Sequence, residues 1–341
     1  MAITRHEFGK AGGRPVHGYE ITGPRGMSAR VLSYGAMLAS LKVPDAAGKL
    51  ADITLGFAGI DGYMQDPIKV GALCGRVVNR IRKGRFHLHG REYQLPINDG
   101  ANHIHGGPAG FDRQHWQAEV READNAVTFT RTSPDGEEGY PGNLAVSVTY
   151  AITQAGELAL SMQAQTDAAT IVNLSSHAYW NLAGHDSGSV LGHRLLIPAE
   201  SYTPLDGELL PTGELLPVAG TAYDFRTPRL IGADMPPGGY DINFALSGSA
   251  GGMHLACRLE HAGSGRALEL LTDQPGLQIY TGALLSPAML GRDGRPYQPF
   301  GGIALETQKF ADAPNHAGFP SIVLEPGDTY RHNSLLRFLT I

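Results

Sequence analysis

From 127 to 164 apolar and polar side chains alternate along the chain. Val127 and Phe129 alternate with threonines, and Val146, Val148, Tyr150 and Ile152 alternate with Ser147, Thr149, Ala151 and Thr153. A turn at 154–156 leads into Leu158, Leu160 and Met162. Successive side chains of a strand point to opposite faces, so a period of two over this length predicts half-buried antiparallel strands. The segment SPDGEEGYPGN between two of these runs is dense in turn formers and reads as a loop.

The same reading extends in both directions. Short apolar runs at 31–34, 37–43 and 52–57 predict strands separated by Gly35, Pro44-Asp45 and Gly48. Residues 85–88 and 92–95 flank His89-Gly90, the signature of a hairpin. Further strands are predicted over 171–182, between the prolines of 194–230, in GYDINF at 239–244, and at 267–271, 276–280, 303–308 and 322–324. Asp273-Gln274-Pro275 reads as the turn between two of them. Residues 283–290 hint at a short helix, which Pro287 weakens. The 45 glycines and 22 prolines fit many short strands better than long helices. Turn signals run on without a break in composition, so the expectation is one all-β domain over 1–341, a sandwich of large antiparallel sheets.

Composition narrows the function. With 27 basic and 33 acidic residues the net charge is −6, and neither sign forms a long run. A nucleic-acid binder would normally carry a basic stripe. Two cysteines, Cys74 and Cys257, are too few for a disulfide framework, and Cys74 reads as a small buried residue. No Cys/His cluster has zinc spacing. No apolar run reaches the ~18–20 residues of a membrane span, and MAITRHEFGK lacks the apolar core of a secretory signal. The expectation is a soluble, cytoplasmic protein.

Candidate chemistry gathers in 71–116, where Asn79-Arg80, a hairpin and His105-Gly106-Gly107 follow one another among turns and short strands. Rigid sheets can aim such side chains at one point. His177, Asp241, Gln278 and Glu306 are the candidate partners further along. Ile303 and Leu305 alternate with Glu306, so its carboxylate faces away from their apolar side. His103 would share a face with His105 if that run were extended, while His87 and His89 read as solvent-facing. His316 is a possible pocket neighbour. Arg76, Arg80, Arg82, Lys83 and Arg85 form a basic cluster that hints weakly at phosphate.

The ordered motifs GRVVNRI, NHIHGG with GFD, SPDGEEGYPGN, VNLSSHAYWNLAG, YDINF, QPGLQIYTG and ALETQKFADAPNH resemble those of the aldose 1-epimerase (galactose mutarotase) family. They cover roughly 70–330. The resemblance implies a large β-sandwich, often called a supersandwich, and interconversion of the α and β anomers of a free monosaccharide. It implies no metal or organic cofactor and no nucleic-acid or membrane partner, with the protein a monomer or homodimer. Carried over by motif, Glu306 takes the place of the catalytic base and His177 that of the acid. His105 looks like the second active-site histidine. Asn79, Arg80, Asp241 and Gln278 look like sugar-binding groups. Family members often have His where this chain has Ile242, Asn where it has Ser176, and Phe where it has Trp180; all three departures are expected close to the pocket.

A carboxylate and an imidazolium on opposite sides of a cyclic hemiacetal suit the reaction. One takes the anomeric hydroxyl proton as the other protonates the ring oxygen. Arg80 and His105 could stabilise charge as the ring opens, and Asp241 could accept from a vicinal diol. Trp180, Tyr280 or Phe111 could offer the sugar a flat face. Neighbouring carboxylates are expected to hold His177 above the ordinary imidazole value. Three rival readings are a hexose-6-phosphate epimerase, a non-catalytic sugar-binding protein and a glycosidase. The first would need two or more arginines at the pocket rim, and the last a pair of carboxylates such as Glu306 and Asp241.

Overall fold

The computed structural model describes residues 2–248 and 252–341. Its strands form three large antiparallel sheets. A five-stranded meander (Ala2–Ala11, Arg14–Thr22, Ser28–Leu32, Leu38–Pro44, Leu50–Asp52) leads into a nine-stranded sheet and a six-stranded sheet. The nine-stranded sheet holds Ala126–Ser133, Leu144–Ile152, Glu157–Thr166 and Tyr330–Thr340 side by side. The six-stranded sheet runs Tyr179–Trp180, Ile303–Gln308, Gly276–Tyr280, Asp241–Ala245, Ser201–Thr203, Leu216–Pro217.

The alternation read from the sequence is the alternation observed. Phe129 lies opposite Val148, Val148 opposite Met162, and Met162 opposite His332. All four are buried. Their row faces the six-stranded sheet, where Leu277, Ile279, Ile303 and Leu305 close the same core. His332 crosses the gap, its Nε2 2.8 Å from Thr307 Oγ1. Thr307 and Leu305 therefore point into the sandwich, and Glu306 between them points out of it.

Several elements differ from expectation, each for a local reason. Residues 171–182 are three short strands, because each piece pairs with a different neighbour. Thr170–Ile171 meets Val323–Leu324, Ser175–Ser176 meets Leu73–Cys74, and Tyr179–Trp180 meets Ile303–Ala304. The turn at Asp273-Gln274-Pro275 makes no hairpin, since Arg266–Thr272 lies in the nine-stranded sheet and Gly276–Tyr280 in the six-stranded one. Beyond Asp52 the chain keeps only an isolated bridge from Thr54 to Trp180. Residues 283–290 form turns, and the α-helix is instead Ile60–Gln65, whose Ile60 and Tyr63 bury one side of a single turn. That length is too short for a helical period to stand out in the sequence. No helix among the described residues is long and apolar enough to cross a membrane.

Candidate active site

Register on the six-stranded sheet builds the site floor. Asn243 pairs with Gln278 and Gln278 with Glu306, while Asp241 and Tyr280 pair one step along the same face. Cross-strand partners share a face, so these polar groups are fixed together by backbone pairing. His177 arrives from the break between Ser175–Ser176 and Tyr179–Trp180. Its N–H donates to Ala72 O at 2.8 Å and its carbonyl accepts from Gly71 N at 3.0 Å.

His105 comes from the opposite wall. Its backbone has φ 52°, which ends the short strand His103–Ile104 and turns the ring away from the side His103 occupies. His103 is buried elsewhere, between Pro96 O and Tyr140 Oη, and takes no part in the pocket. Gly106 is required beside it. At φ 86°, a Cβ there would lie 1.8 Å from Gly75 O. Asn79 N–H donates to His105 Nδ1 at 3.2 Å, which leaves the ring proton on Nε2, and the ring lies edge-to-face with that of His177 at a centroid separation of 5.2 Å.

These groups line one pocket of about 930 Å³. His177 Nε2 stands 3.6 Å from Glu306 Oε1, with only 6% and 2% of the two side chains exposed. Arg80 spans the opposite side, its Nε 2.6 Å from Asp99 Oδ2 and its guanidinium 3.8 Å from Asp241 Oδ2. Asn79, Arg80, His105, His177, Asp241 and Glu306 thus converge. Gln278 stands behind them and donates to Asp241 Oδ1 at 2.5 Å. Another hollow, of about 740 Å³, opens on the outer face of the nine-stranded sheet near Gln117 and Gln163, and brings together none of the expected site residues.

The electrostatics correct one expectation. Burial pushes His177 down to about 4 rather than up, because neutral imidazole is cheaper than imidazolium away from water. Burial first, then Asp241, lifts Glu306 well above the ordinary carboxylate range. The two shifts run in opposite directions, the carboxyl holding its proton more tightly and the imidazole less tightly than either would in water. Burial also lifts Asp241, against the pull of Arg80 and Gln278.

Other expectations are sorted by position. Tyr280 lines the pocket, whereas Trp180 and Phe111 are core residues. Of the three departures from the family pattern, Ile242 borders the pocket. Ser176 and Trp180 instead face a small void inside the sandwich. The basic cluster disperses. Arg76 is buried against Ser133 and Pro141, Arg82 pairs with Asp206, and Arg85 bonds Gln94. Arg80 alone of the five lines the pocket, so this cluster lends the phosphate reading no support; Arg113, which also lines it, is engaged by the carbonyls of Tyr63, Met64 and Asp66 and by Asp112. His316 is not among the pocket residues; it pairs with Asp312. His87 and His89 are exposed.

The sequence reading missed four groups. Asp99 was legible only as a turn residue, yet it anchors Arg80. Tyr202 and Tyr223 pack at the pocket wall with ring centroids 4.5 Å apart. Lys69, in an unpatterned loop, also lines the pocket and carried no signal.

The aldose 1-epimerase family model matches residues 17–337. The chain belongs to the aldose 1-epimerase family. It is 43% identical to human galactose mutarotase over 99% of this chain and 98% of that one, and 33% identical to the aldose 1-epimerase of Escherichia coli over 96% of each. An aldose epimerase homologue from C. elegans superposes with a TM-score of 0.88 at 30% identity, covering 94% of this chain and 98% of that one. A galactose 1-epimerase from Lactobacillus acidophilus superposes with the same score at 27% identity, covering 99% of each. The enzyme is an isomerase with aldose mutarotase activity, and its fold is the galactose mutarotase β-sandwich.

Proposed function

We propose that Glu306 and His177 exchange protons through a bound free aldopyranose, galactose or glucose being the leading candidates. In ring opening Glu306 takes the O1 proton. The O–H electrons form the C1=O1 bond, the C1–O5 bond breaks, and His177 delivers a proton to O5. Rotation about C1–C2 exposes the other face of the aldehyde, and closure runs the same transfers in reverse. The step leaves one proton on the pair, as it began. Hydroxyls that donate to Glu306 favour its carboxylate form, the form that accepts the O1 proton. His105 Nε2–H and Arg80 donate to oxygens that gain charge, Asp241 accepts from hydroxyls, and Gln278 holds Asp241 in place.

The observation that carries this reading is the Glu306–His177 pair, 3.6 Å apart at the base of the pocket. Two partly exposed flanking groups, Arg80 and Asp241, fit the pattern of polar donors and acceptors a sugar needs. We further infer that the whole chain works as one domain, as a monomer or homodimer in the cytoplasm. The core draws on all three large sheets, and two buried free thiols suit a reducing compartment.

Polarimetry of freshly dissolved α-D-galactose, α-D-glucose and a pentose tests the roles. Wild type is expected to speed equilibration, and His177→Gln to lose ~10²–10⁴-fold in kcat. A His177→Gln protein as fast as wild type would remove His177 from the reaction. Acceleration confined to sugar phosphates would move the substrate class.

A further inference from the structure

Lys69 lies in the loop between the helix Ile60–Gln65 and the strand Leu73–Cys74. Its backbone takes φ 63°, a left-handed conformation that side chains other than Gly, Asn and Asp seldom adopt. The loop is held in that shape. Asp66 accepts from Ile68 N at 2.9 Å and Val70 N at 2.5 Å, and Arg113 donates to the carbonyls of Tyr63 and Asp66. Its far end carries His177, through the paired bonds of Gly71 and Ala72 to the His177 backbone. Tyr179 Oη, two residues on, donates to Ile68 O at 3.1 Å.

The Lys69 side chain leaves this loop along the pocket wall, 13% exposed, and ends 2.6 Å from Asp112 Oδ2. Asp112 is 2% exposed and belongs to the Phe111–Arg113 turn that closes the His105 loop. Phe111 N bonds Gly75 O, and Gly110 packs under His105 O. The two active-site histidines therefore stand on two different loops, and a buried ion pair joins those loops at the pocket. Taking two charges from water is expensive, so a pair at such a place is weak evidence of simple stabilisation.

We propose that Lys69 is a positioning residue: through Asp112 it fixes the His177 loop against the His105 loop and sets a permanent cation beside both rings. The proposal rests on the acid–base reading of Glu306 and His177. The titratable groups nearest the His177 ring are Glu306, His105 and Tyr179. The other charges around the pocket are Lys69 and Asp66 on the His177 loop, Asp112 and Arg113 on the turn after His105, Arg80 on its own short strand with Asp99 paired to it, Asp206 paired to Arg82, and Asp241 on the pocket sheet. Among these Lys69 is the cation whose field opposes protonation of both His177 and His105. Its role is to keep the pair from binding a second proton as well as to set the ring geometry.

The test is kcat and KM for α-D-galactose from pH ~3 to ~9, a range that brackets the His177 value of about 4, with uncatalysed mutarotation subtracted, alongside thermal unfolding. Lys69→Met is expected to lower kcat about tenfold with little change in KM, as slack in the ring geometry would. Its low-pH limb is expected to move up by about half a pH unit or more, as loss of a nearby cation requires. Lys69→Arg restores both. Asp112→Asn leaves the cation uncompensated and moves the limb down, and it decides the matter if Lys69→Met does not fold. A limb that stays put in both Lys69→Met and Asp112→Asn, even with weaker folding, would reduce Lys69 to a structural residue and overturn the proposal. A wild type without mutarotase activity would instead overturn the acid–base reading.

Discussion

The inner face of the nine-stranded sheet and the pocket face of the six-stranded sheet use the same backbone pairing for opposite ends. Across the first, Phe129, Val148 and Met162 stand in register and fill the core. Across the second, Asn243, Gln278 and Glu306 stand in register and bury polar atoms. Glu306 Oε2 and both amide atoms of Gln308 have no hydrogen-bond partner among the described residues. The first arrangement minimises free energy site by site. The second carries desolvation costs that only the surrounding sheet can sustain, and in return holds a carboxylate whose proton affinity burial raises.

The sharpest way to break this contrast is Glu306→Asp. It keeps the charge and withdraws the carboxylate by one methylene, about 1 Å or more, for which a loss of ~10²-fold in kcat/KM is expected. The thermal midpoint is expected to stay within about 3 °C of wild type, since little apolar contact is lost. Polarimetry and a thermal melt on the same protein measure both. A large drop in the midpoint with activity intact would mean Glu306 belongs to the scaffold.

The converse change is Phe129→Ala, which opens a void in the apolar row. A cost of about 3–5 kcal/mol in unfolding free energy is expected. At 25 °C the folded molecules should keep a kcat within about twofold of wild type, because the pocket lies on the far sheet. A matching collapse of kcat would show that the two faces are coupled through the core.

The two regions also differ in how far the sequence reveals them. The period of two in 144–152 and 157–166 reports burial on one face, so strand type and facing are legible there. At the pocket a period is legible only beside Glu306, between Ile303 and Leu305 before it and Thr307 after it. His177 sits where a segment of mixed apolar and polar residues, buried almost throughout, passes between partners in different sheets, and burial on both faces erases alternation. His105, Asn79 and Lys69 each take a positive φ without being glycine, which no local pattern announces and which preference argues against at Lys69. Their motif context identified Glu306, His177, His105, Asn79, Arg80 and Asp241 as one set, and the pocket does gather them. Asp99 and Lys69 needed the fold, because a turn aspartate and a loop lysine look the same whether or not they hold an active-site neighbour. The direction of the His177 shift was misjudged for a related reason. Spacing announces a nearby carboxylate, but not that the ring is almost wholly withdrawn from water.

One residue brings a titratable group into the apolar row itself, and it yields the smallest expected effect. His332 is fully buried, and burial pushes it down to about 4. Leu174 O at 3.1 Å requires a proton on Nδ1, so Nε2 accepts from Thr307 Oγ1 and both nitrogens are satisfied by the neutral ring. In the unfolded chain the same ring titrates near ~6.5. The folded value is the lower one, so the unfolded state binds the extra proton first. The stabilisation is complete above ~6.5 and drains away as pH falls toward 4. At pH ~5 the loss is about 2 kcal/mol. Asp66, raised to about 6 by burial, works in the opposite sense, but equally in wild type and variant. His332→Gln is therefore expected to be less stable at every pH, yet to lose about 2 kcal/mol less than wild type between pH ~7.5 and ~5. Unfolding free energies at the two pH values give that difference directly. Equal losses would mean that His332 already carries its proton inside the sandwich, and that the apolar row tolerates charge as the pocket does.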